Sequence, residues 1–271
     1  MLIDTRAHLD FEAFDLDRDE VIARAREAGV GAIINPGAGL DESRAAVALA
    51  ETNPVVYAAV GVHPHEADTL TEAAVEELRS LATHPHVVAI GEIGLDFYRD
   101  YAPRDAQPKA FRAQLALARQ LGKPVITCAR SGAGIHDREA HSEVLATLRQ
   151  WLGDSQSATC NPPGVLHCFA GGLEMAQEAT HLGFYIGVDG PVTFRHASRL
   201  RGIIRQLPLE RLLIETDCPY PTPEPYRGQR NEPAHVRFVA QAIAELQSLP
   251  FEEVASVTTA NARRLFGLPE G

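Results

Sequence analysis

The sequence predicts a (β/α)8 barrel, because short apolar segments alternate about eight times with longer amphipathic segments. Strands that alternate with helices of this length are typical of a parallel sheet, in which each helix connects one strand to the next. Eight such units within 271 residues match the size of a closed barrel and predict one domain over residues 1–271. An open, doubly wound sheet is the alternative, but no G-x-G-x-x-G sequence follows a predicted strand.

Each predicted strand is a short, mainly apolar run, and each predicted helix has apolar residues three and four positions apart. In a parallel barrel, functional side chains lie where strands reach their carboxyl ends. The predicted strands are Leu2–His8, Gly31–Pro36, Val55–His63, Val87–Ile93, Pro124–Cys128, Gly164–Phe169, Phe184–Val188 and Leu212–Asp217. The clearest helices cover Asp17–Ala28, Glu42–Thr52, Thr71–Ala82 and Arg104–Leu121.

The composition is acidic, with 36 Asp and Glu residues against 25 Lys and Arg residues and a formal charge of -11. This charge argues against broad, tight nucleic-acid binding, but it allows an enzyme that holds one phosphate through metal ions and local arginines. No apolar run approaches the roughly 18 residues that cross a bilayer, and the N-terminus has no signal-peptide pattern. The sequence therefore predicts a soluble, cytoplasmic protein with free thiols.

Ionisable side chains recur where the predicted strands end. Asp4, Arg6 and His8 are two residues apart and therefore share one face of the first strand. Because the carboxyl ends of parallel strands meet at one end of a barrel, we expect such side chains to converge there. Imidazole and carboxylate together are the donor set of a hydrolytic divalent metal site. The other ionisable residues at the ends of predicted strands are His63, His65, Glu92, His167 and Asp217.

Glu92 is the most informative of these residues, because it lies in an apolar strand between glycines. A buried carboxylate has to be paired or bound to a cation. Strand alternation turns Cys168 and Cys218 away from the face of the neighbouring candidates, which predicts that both thiols are buried packing groups.

Several segments together resemble the TatD family of metal-dependent deoxyribonucleases. They occur in the family's order and cover nearly the whole chain. The matching segments are Ile3–Asp10 (IDTRAHLD), Ala59–His65 (AVGVHPH), Val88–Tyr98 (VAIGEIGLDFY), Val165–Gly171 (VLHCFAG), Leu213–Pro223 (LIETDCPYPTP), Arg230–Pro233 (RNEP) and Thr258–Gly267 (TTANARRLFG).

The resemblance implies an amidohydrolase-type TIM barrel that hydrolyses DNA phosphodiester bonds, commonly as a 3′→5′ exonuclease. It implies one or two divalent ions, Mg²⁺ or Mn²⁺, with Glu92 bridging a pair. Asp217 would bind metal and orient or deprotonate the attacking water, and His63 and His65 match substrate-side histidines. Metal-ligand positions of the family are matched by His8, Glu92, His167 and Asp217.

The first segment departs from the family pattern at Arg6, where the family has a histidine two residues before the position of His8. A guanidinium stays protonated and cannot bind a cation, so one ligand of the more buried ion is missing. One interpretation is that this ion site is weak or empty and activity falls with it. The other is that Arg6 replaces part of the missing charge and binds a phosphate oxygen bidentately.

A second departure follows the fifth strand, where the family places a ligand histidine. Cys128 takes this position without a gap, and His136 takes it if the S-G-A-G segment is an insertion. We favour His136, because the sequence continues from it into an amphipathic helix through Leu148, as the family's does. A Cys128 ligand would shift the preference toward Zn²⁺, since thiolate is a soft donor. Arg138, in the same segment, is a candidate contact to the DNA backbone.

The resemblance also implies DNA with a free 3′ end as the substrate, in DNA turnover or repair, with no membrane and no obligate protein partner. One alternative is another amidohydrolase-like reaction on a lactone or an amide, because a fold does not fix a function. The alternative from a different class is a DNA-binding protein that has lost catalysis, with Arg6 as the mark of that loss.

Overall fold

Eight parallel strands hydrogen-bond to one another in chain order, as the alternating pattern predicts. The computed structural model describes residues 1–99, 101–132, 139–153 and 163–270. The (β/α)8 prediction is confirmed, and the open doubly wound alternative is wrong. The strands are β1 (Leu2–Asp4), β2 (Val30–Pro36), β3 (Val56–Val60), β4 (Val87–Asp96), β5 (Val125–Arg130), β6 (Gly164–Leu166), β7 (Tyr185–Val188) and β8 (Leu212–Ile214).

Backbone hydrogen bonds beyond the ends of β8 and β1 bring the first and last strands together. Thr5 N donates to Ile214 O at 3.1 Å, and Asp217 N donates to Arg6 O at 2.9 Å. A parallel bridge joins Ala7 to Cys218 farther along. The segments that follow β1 and β8 therefore run side by side, and both carry predicted site residues.

The α-helices connect successive strands on the outside of the barrel, and their apolar faces cover the outward-facing strand residues. Thr71 caps the third helix, because its hydroxyl accepts a hydrogen bond from Ala74 N at 3.2 Å. The helices are α1 (Arg18–Glu27), α2 (Leu40–Thr52), α3 (Glu72–Leu81), α4 (Ala106–Leu121), α5 (Glu139–Gly153), α6 (Leu173–His181), α7 (Ser198–Ile204), α8 (Val236–Gln247) and α9 (Phe251–Phe266). Among the residues described, no helix combines the length and the apolar character that crossing a membrane requires.

An apolar layer fills the barrel interior below the strand ends, and every strand contributes to it. Leu265 and Phe266 of α9 pack against this layer, and Asn261 donates to the carbonyl of Leu212 at 2.9 Å. The amino-terminal end of the barrel is thereby covered, so the polar groups collect at the carboxyl end. The strand residues of the layer are Ile3, Ala32, Ile34, Ala59, Ala89, Ile126, Val165, Tyr185 and Leu213.

Four strands end earlier than the sequence predicts, namely β1, β3, β6 and β8. The backbone turns at Cys168, where φ is 42°, and at Asp217, where φ is 56°. These left-handed conformations are incompatible with a continuing strand. His8, His63, His167 and Asp217 therefore lie in the segments that follow their strands, rather than within them.

Gly94 in β4 offers a test of how closely the strands pack. Its φ is +135°, and a Cβ atom there would lie 2.0 Å from the carbonyl oxygen of Cys128 on β5. We expect Gly94→Ala to lower the free energy of unfolding by about 2 kcal/mol or more. The control is Gly202→Ala in α7, where a Cβ atom meets nothing within 4 Å and a gain of roughly 0.5–1 kcal/mol is expected. Denaturant unfolding measures both values, and equal effects of the two substitutions would contradict the packing argument.

Candidate metal centre at the carboxyl end of the barrel

The polar centre is the group of ionisable side chains around Glu92 at the carboxyl end of the barrel. Glu92 lies in its middle because the strand β4 contains a bulge. Ile90 pairs with Val125 but Ile93 pairs with Thr127, so β4 uses three residues where β5 uses two. Such a bulge shifts the alternation of side chains by one position. Ala89 belongs to the interior layer, whereas Ile93 belongs to the outer core, and Glu92 turns inward between them. Its carboxylate is almost completely buried.

Arg6 lies between two carboxylates that the sequence places far apart. Its Nε donates to Oε1 of Glu92, and its Nη1 forms an ion pair with Oδ1 of Asp217. Nη1 also donates to the sulfur of Cys168 at 3.1 Å. Nε and Nη1 thus use their hydrogens on protein acceptors, and only Nη2 remains for other partners. Of the two interpretations of Arg6, the bidentate contact to phosphate does not fit this arrangement.

Three histidines surround the Glu92 carboxylate. Nε2 of His167 lies 3.7 Å from Oε1, and Nε2 of His8 lies 3.8 Å from the same oxygen. Nε2 of His63 lies 3.9 Å from Oε2. His8 is also 3.7 Å from Oδ1 of Asp217, so the predicted convergence of imidazoles and acids is present around Glu92 and Asp217.

His65 faces a different partner from His63. Its Nε2 lies 2.7 Å from Oδ2 of Asp96, and its ring meets the edge of Tyr101 at 4.8 Å. Asp96 is fully buried and also pairs with Arg130 at 3.4 Å. The two histidines predicted on the substrate side lie together, with ring centroids 4.2 Å apart, but they contact different acids, since His63 lies near Glu92 and His65 near Asp96.

Cys168 lies inside the centre, so the prediction that it faces away is wrong. Its thiol donates to Oδ2 of Asp217 at 3.2 Å and accepts from Arg6. The alternation on which that prediction depends ends with β6 at Leu166, and the positive φ of Cys168 redirects its side chain. Cys218 is fully buried, as expected.

Two acids of the centre are absent from the set of candidates chosen from the sequence. Asp189 directly follows β7 and lies in a compact group with Cys168 and Asp217. Glu215 directly follows β8, and its Oε1 accepts a hydrogen bond from the backbone of Cys168. The same rule of strand ends that selects Asp217 would also have selected both of these acids.

Burial and the Arg6 charge together set the protonation of the centre. Burial lowers the pKa of His8 to about 4 and that of His63 to about 3, and it lowers that of His167 well below its usual range. Burial raises the pKa of Asp217 to about 7, against the influence of Arg6. Burial also acts to raise the pKa of Glu92, but the Arg6 guanidinium beside it outweighs burial and holds that pKa well below its ordinary value. The imidazoles are therefore neutral, with lone pairs available to a cation.

The side of the centre formed by Glu92, His63 and His167 fits a divalent ion. Ligand atoms bound 2.0–2.2 Å from an ion lie about 3–4 Å from one another. His167 and His63 lie at this separation from two different oxygens of Glu92, and His167 also lies in a compact group of possible metal ligands with Cys168 and Glu215. His167 is buried, and neither of its ring nitrogens has a hydrogen-bond partner in the part of the chain that the structure describes. Such nitrogens are costly unless they bind something. Between Glu92 and Asp217, by contrast, lies the Arg6 guanidinium, which forms an ion pair with each carboxylate.

The candidates that follow β5 lie partly outside the described residues, as His136 and Arg138 both do. Cys128 is described, and burial raises the pKa of its thiol to about 12. A thiol this hard to ionise is a poor metal ligand. The choice of His136 over Cys128 stays a prediction, and the burial of Cys128 favours it.

A centre of neutral imidazoles and carboxylates at the carboxyl end of a (β/α)8 barrel, able to hold a divalent ion, defines the class of metal-dependent barrel hydrolases. Residues 3–267 match the family described as TatD related DNase, and the chain belongs to this family. The resemblance read from the sequence segments is therefore confirmed.

Similar proteins agree with this assignment along nearly the whole chain. The uncharacterized metal-dependent hydrolase YabD of Bacillus subtilis (strain 168) is 42% identical over 98% of this chain and 99% of its own length. The 3′-5′ ssDNA/RNA exonuclease TatD of Musicola paradisiaca (strain Ech703) is 40% identical over 98% of each chain. The crystal structure of YJJV, a TatD homolog from Escherichia coli K12, superposes with a TM-score of 0.88 at 34% identity, covering 99% of this chain and 98% of that one.

The raised pKa values of the buried acids predict that the ion-free protein loses stability as the pH rises. Burial raises the pKa of Asp4 and Asp217 to about 7 and that of Glu215 to about 8, so the folded state binds more protons than the unfolded chain up to that range. Between pH 7 and 8.5 these protons are lost, and over most of this interval the histidines are neutral in both states. We expect the melting temperature in EDTA to fall by about 3 °C or more over this interval.

Calorimetry of the chelated protein measures this change, and Glu215→Gln is the matched control. It removes one of the ionisations at nearly unchanged volume, so the fall should become smaller. Adding Mn²⁺ should reduce the fall as well, since a cation stabilises the charged carboxylates. A melting temperature that is constant or rises toward pH 8.5 in EDTA would contradict the assigned shifts.

Proposed function

We propose that this protein is a metal-dependent nuclease that hydrolyses phosphodiester bonds of single-stranded DNA from a free 3′ end. The observation that carries the proposal is the convergence of His63 and His167 on the buried Glu92, beside Arg6 and Asp217. Relatives named as 3′-5′ ssDNA/RNA exonucleases support the substrate class and the direction. A role in DNA turnover or repair in the cytoplasm fits this activity and belongs to the proposal.

The proposed ion ligands are Glu92, His167 and His63, with His136 as a further candidate outside the described residues. Carboxylate oxygens favour Mg²⁺ or Mn²⁺, and imidazole nitrogens also accept Zn²⁺. When bound, the ion would lower the pKa of a water molecule and relieve charge on the phosphate. His167 serves as a neutral donor because its buried ring stays unprotonated near neutral pH.

Asp217 is the proposed proton acceptor for the attacking water. Its side chain is 19% exposed, so it reaches the solvent of the barrel opening, while Glu92 does not. A pKa of about 7 lets its carboxylate take a proton during the reaction and release it afterwards. Arg6 and the Cys168 thiol each hold one of its two oxygens, which fixes the orientation of the carboxylate.

Exposed tyrosines flank the centre on two opposite sides of the barrel. Tyr98 and Tyr101 follow β4, and Tyr220 and Tyr226 follow β8. Tyr220 is 70% exposed, and its backbone nitrogen donates to Asp217 O at 3.0 Å. Aromatic rings bind unpaired bases by stacking, without sequence preference. These rings would hold single strands at the opening, where the overall negative charge gives little help.

Removing the Glu92 carboxylate should abolish hydrolysis. For Glu92→Gln we expect a loss on the order of a hundredfold or more, because the central charge of the donor set is gone. The assay uses end-labelled single-stranded DNA in Mn²⁺, with either the 3′ or the 5′ end blocked, and small cyclic esters as competing substrates. Digestion of the 5′-blocked DNA alone supports the proposal.

Glu66→Gln is the matched control for this substitution. Glu66 lies in the segment after β3, outside the contacts of Glu92, and its loss should leave the rate unchanged. Hydrolysis of the esters without hydrolysis of DNA would favour the lactone or amide alternative. Binding of DNA with no turnover in any divalent ion would favour the protein that has lost catalysis.

Tyr220 provides a test of substrate contact that is separate from the chemistry. Tyr220→Ala should raise the KM for single-stranded DNA about fivefold or more and leave kcat nearly unchanged, because stacking of one base contributes about 1–3 kcal/mol. Tyr220→Phe keeps the ring and should keep the KM. Steady-state kinetics on short oligonucleotides measures both variants. An equal rise in the KM of the Tyr220→Phe and Tyr220→Ala variants would show that the Tyr220 ring does not act by stacking.

A further inference from the structure

We propose that the Arg6 guanidinium is a built-in cation that fills one half of the centre, so that the protein holds a single divalent ion, beside His167 and His63. The inference rests on the proposed metal-dependent function for the existence of that one ion. It goes beyond the proposed function because it assigns the number of bound ions and names Arg6 as the residue that takes the place of a second ion.

The guanidinium takes the oxygens that a second ion would need. Arg6 reaches Oε1 of Glu92 through Nε and Oδ1 of Asp217 through Nη1. His8 lies within 4 Å of both of these oxygens, so the imidazole and the two carboxylates form a donor set around the guanidinium. A divalent ion placed there would compete for the same oxygens and repel the positive charge at short range.

Arg6 cannot give up this place by changing its charge. A guanidinium stays protonated in proteins. The side chain is only 8% exposed, and the Cys168 thiol accepts its third hydrogen bond. A chelator therefore removes a bound divalent ion but leaves this cation in position.

The side of the centre formed by Glu92, His63 and His167 has ligand atoms that Arg6 does not use. These atoms indicate a site for one ion. Oε2 of Glu92 faces His63 and is separate from the oxygen that accepts from Arg6. Both ring nitrogens of His167 lack a hydrogen-bond partner among the residues described. His167 also forms a compact group of possible metal ligands with Cys168 and Glu215.

Metal stoichiometry tests the inference independently of nuclease activity. The wild-type protein, chelated and then equilibrated with Mn²⁺, is analysed by native mass spectrometry and by electron paramagnetic resonance. We expect one Mn²⁺ per chain, with the spectrum of an isolated ion. Arg6→His removes the guanidinium and supplies an imidazole, so it should take up two ions that are magnetically coupled. Arg6→Lys keeps a positive charge and should remain at one ion.

Arg24→His is the matched control for adding a histidine between acids. Arg24 also joins two carboxylates, at 3.2 Å from Asp17 and 2.7 Å from Glu232, but in a partly exposed position away from the centre. This variant should bind one ion, like the wild type.

Four results would overturn the inference. Two ions in the wild-type protein would show that Arg6 does not exclude the second, and nuclease activity in that sample would leave the proposed function intact. A second ion in Arg6→Lys would show that a positive charge at this position does not exclude an ion. A single ion in folded Arg6→His would show that the guanidinium is not what keeps the second ion out. Wild-type protein without any bound ion would remove both this inference and the proposed metal dependence. If Arg6→His does not fold, the wild-type and Arg6→Lys counts decide.

Discussion

Buried negative charge at the carboxyl end of the barrel has to be balanced by positive charge or by protons. Within the chain, Arg6 provides positive charge there through its ion pairs with Glu92 and Asp217. Carboxylates removed from water are tolerated only with a cation or a proton. Glu92 is held ionised by its neighbours, while burial raises the pKa of Asp217 and Glu215 toward protonation. The positions of these side chains therefore depend on the contacts that the charged Arg6 side chain makes with both Glu92 and Asp217.

The same contacts connect the chemistry to the closure of the barrel. Arg6 and Asp217 belong to the segments that follow β1 and β8, and a backbone hydrogen bond joins these two residues at 2.9 Å. Their side chains form an ion pair immediately beside it. Thr216 strengthens the junction through its hydroxyl, which donates to Asp4 at 2.6 Å. A substitution at Arg6 therefore acts on the site and on the contact between the first and last strands.

Much of the architecture and of the centre could be predicted from local patterns. Alternation of strands and helices predicted the barrel, because each apolar period reflects a face that must be buried. The rule that side chains at the carboxyl ends of strands meet selected His8, His63, Glu92, His167 and Asp217, all of which converge. The sequence also marked Arg6 as unusual, since a guanidinium cannot act as a metal ligand.

Only the tertiary structure decided which partner each of these side chains meets. A bulge in the pairing of β4 with β5 turns Glu92 inward, and a positive φ brings Cys168 into the centre, against the alternation of a regular strand. His65 stays in ring contact with His63 but pairs with Asp96 rather than with Glu92. Alternation is a property of one continuous strand, whereas bulges, strand ends and ion pairs arise from hydrogen bonds and packing between segments that are distant in the chain.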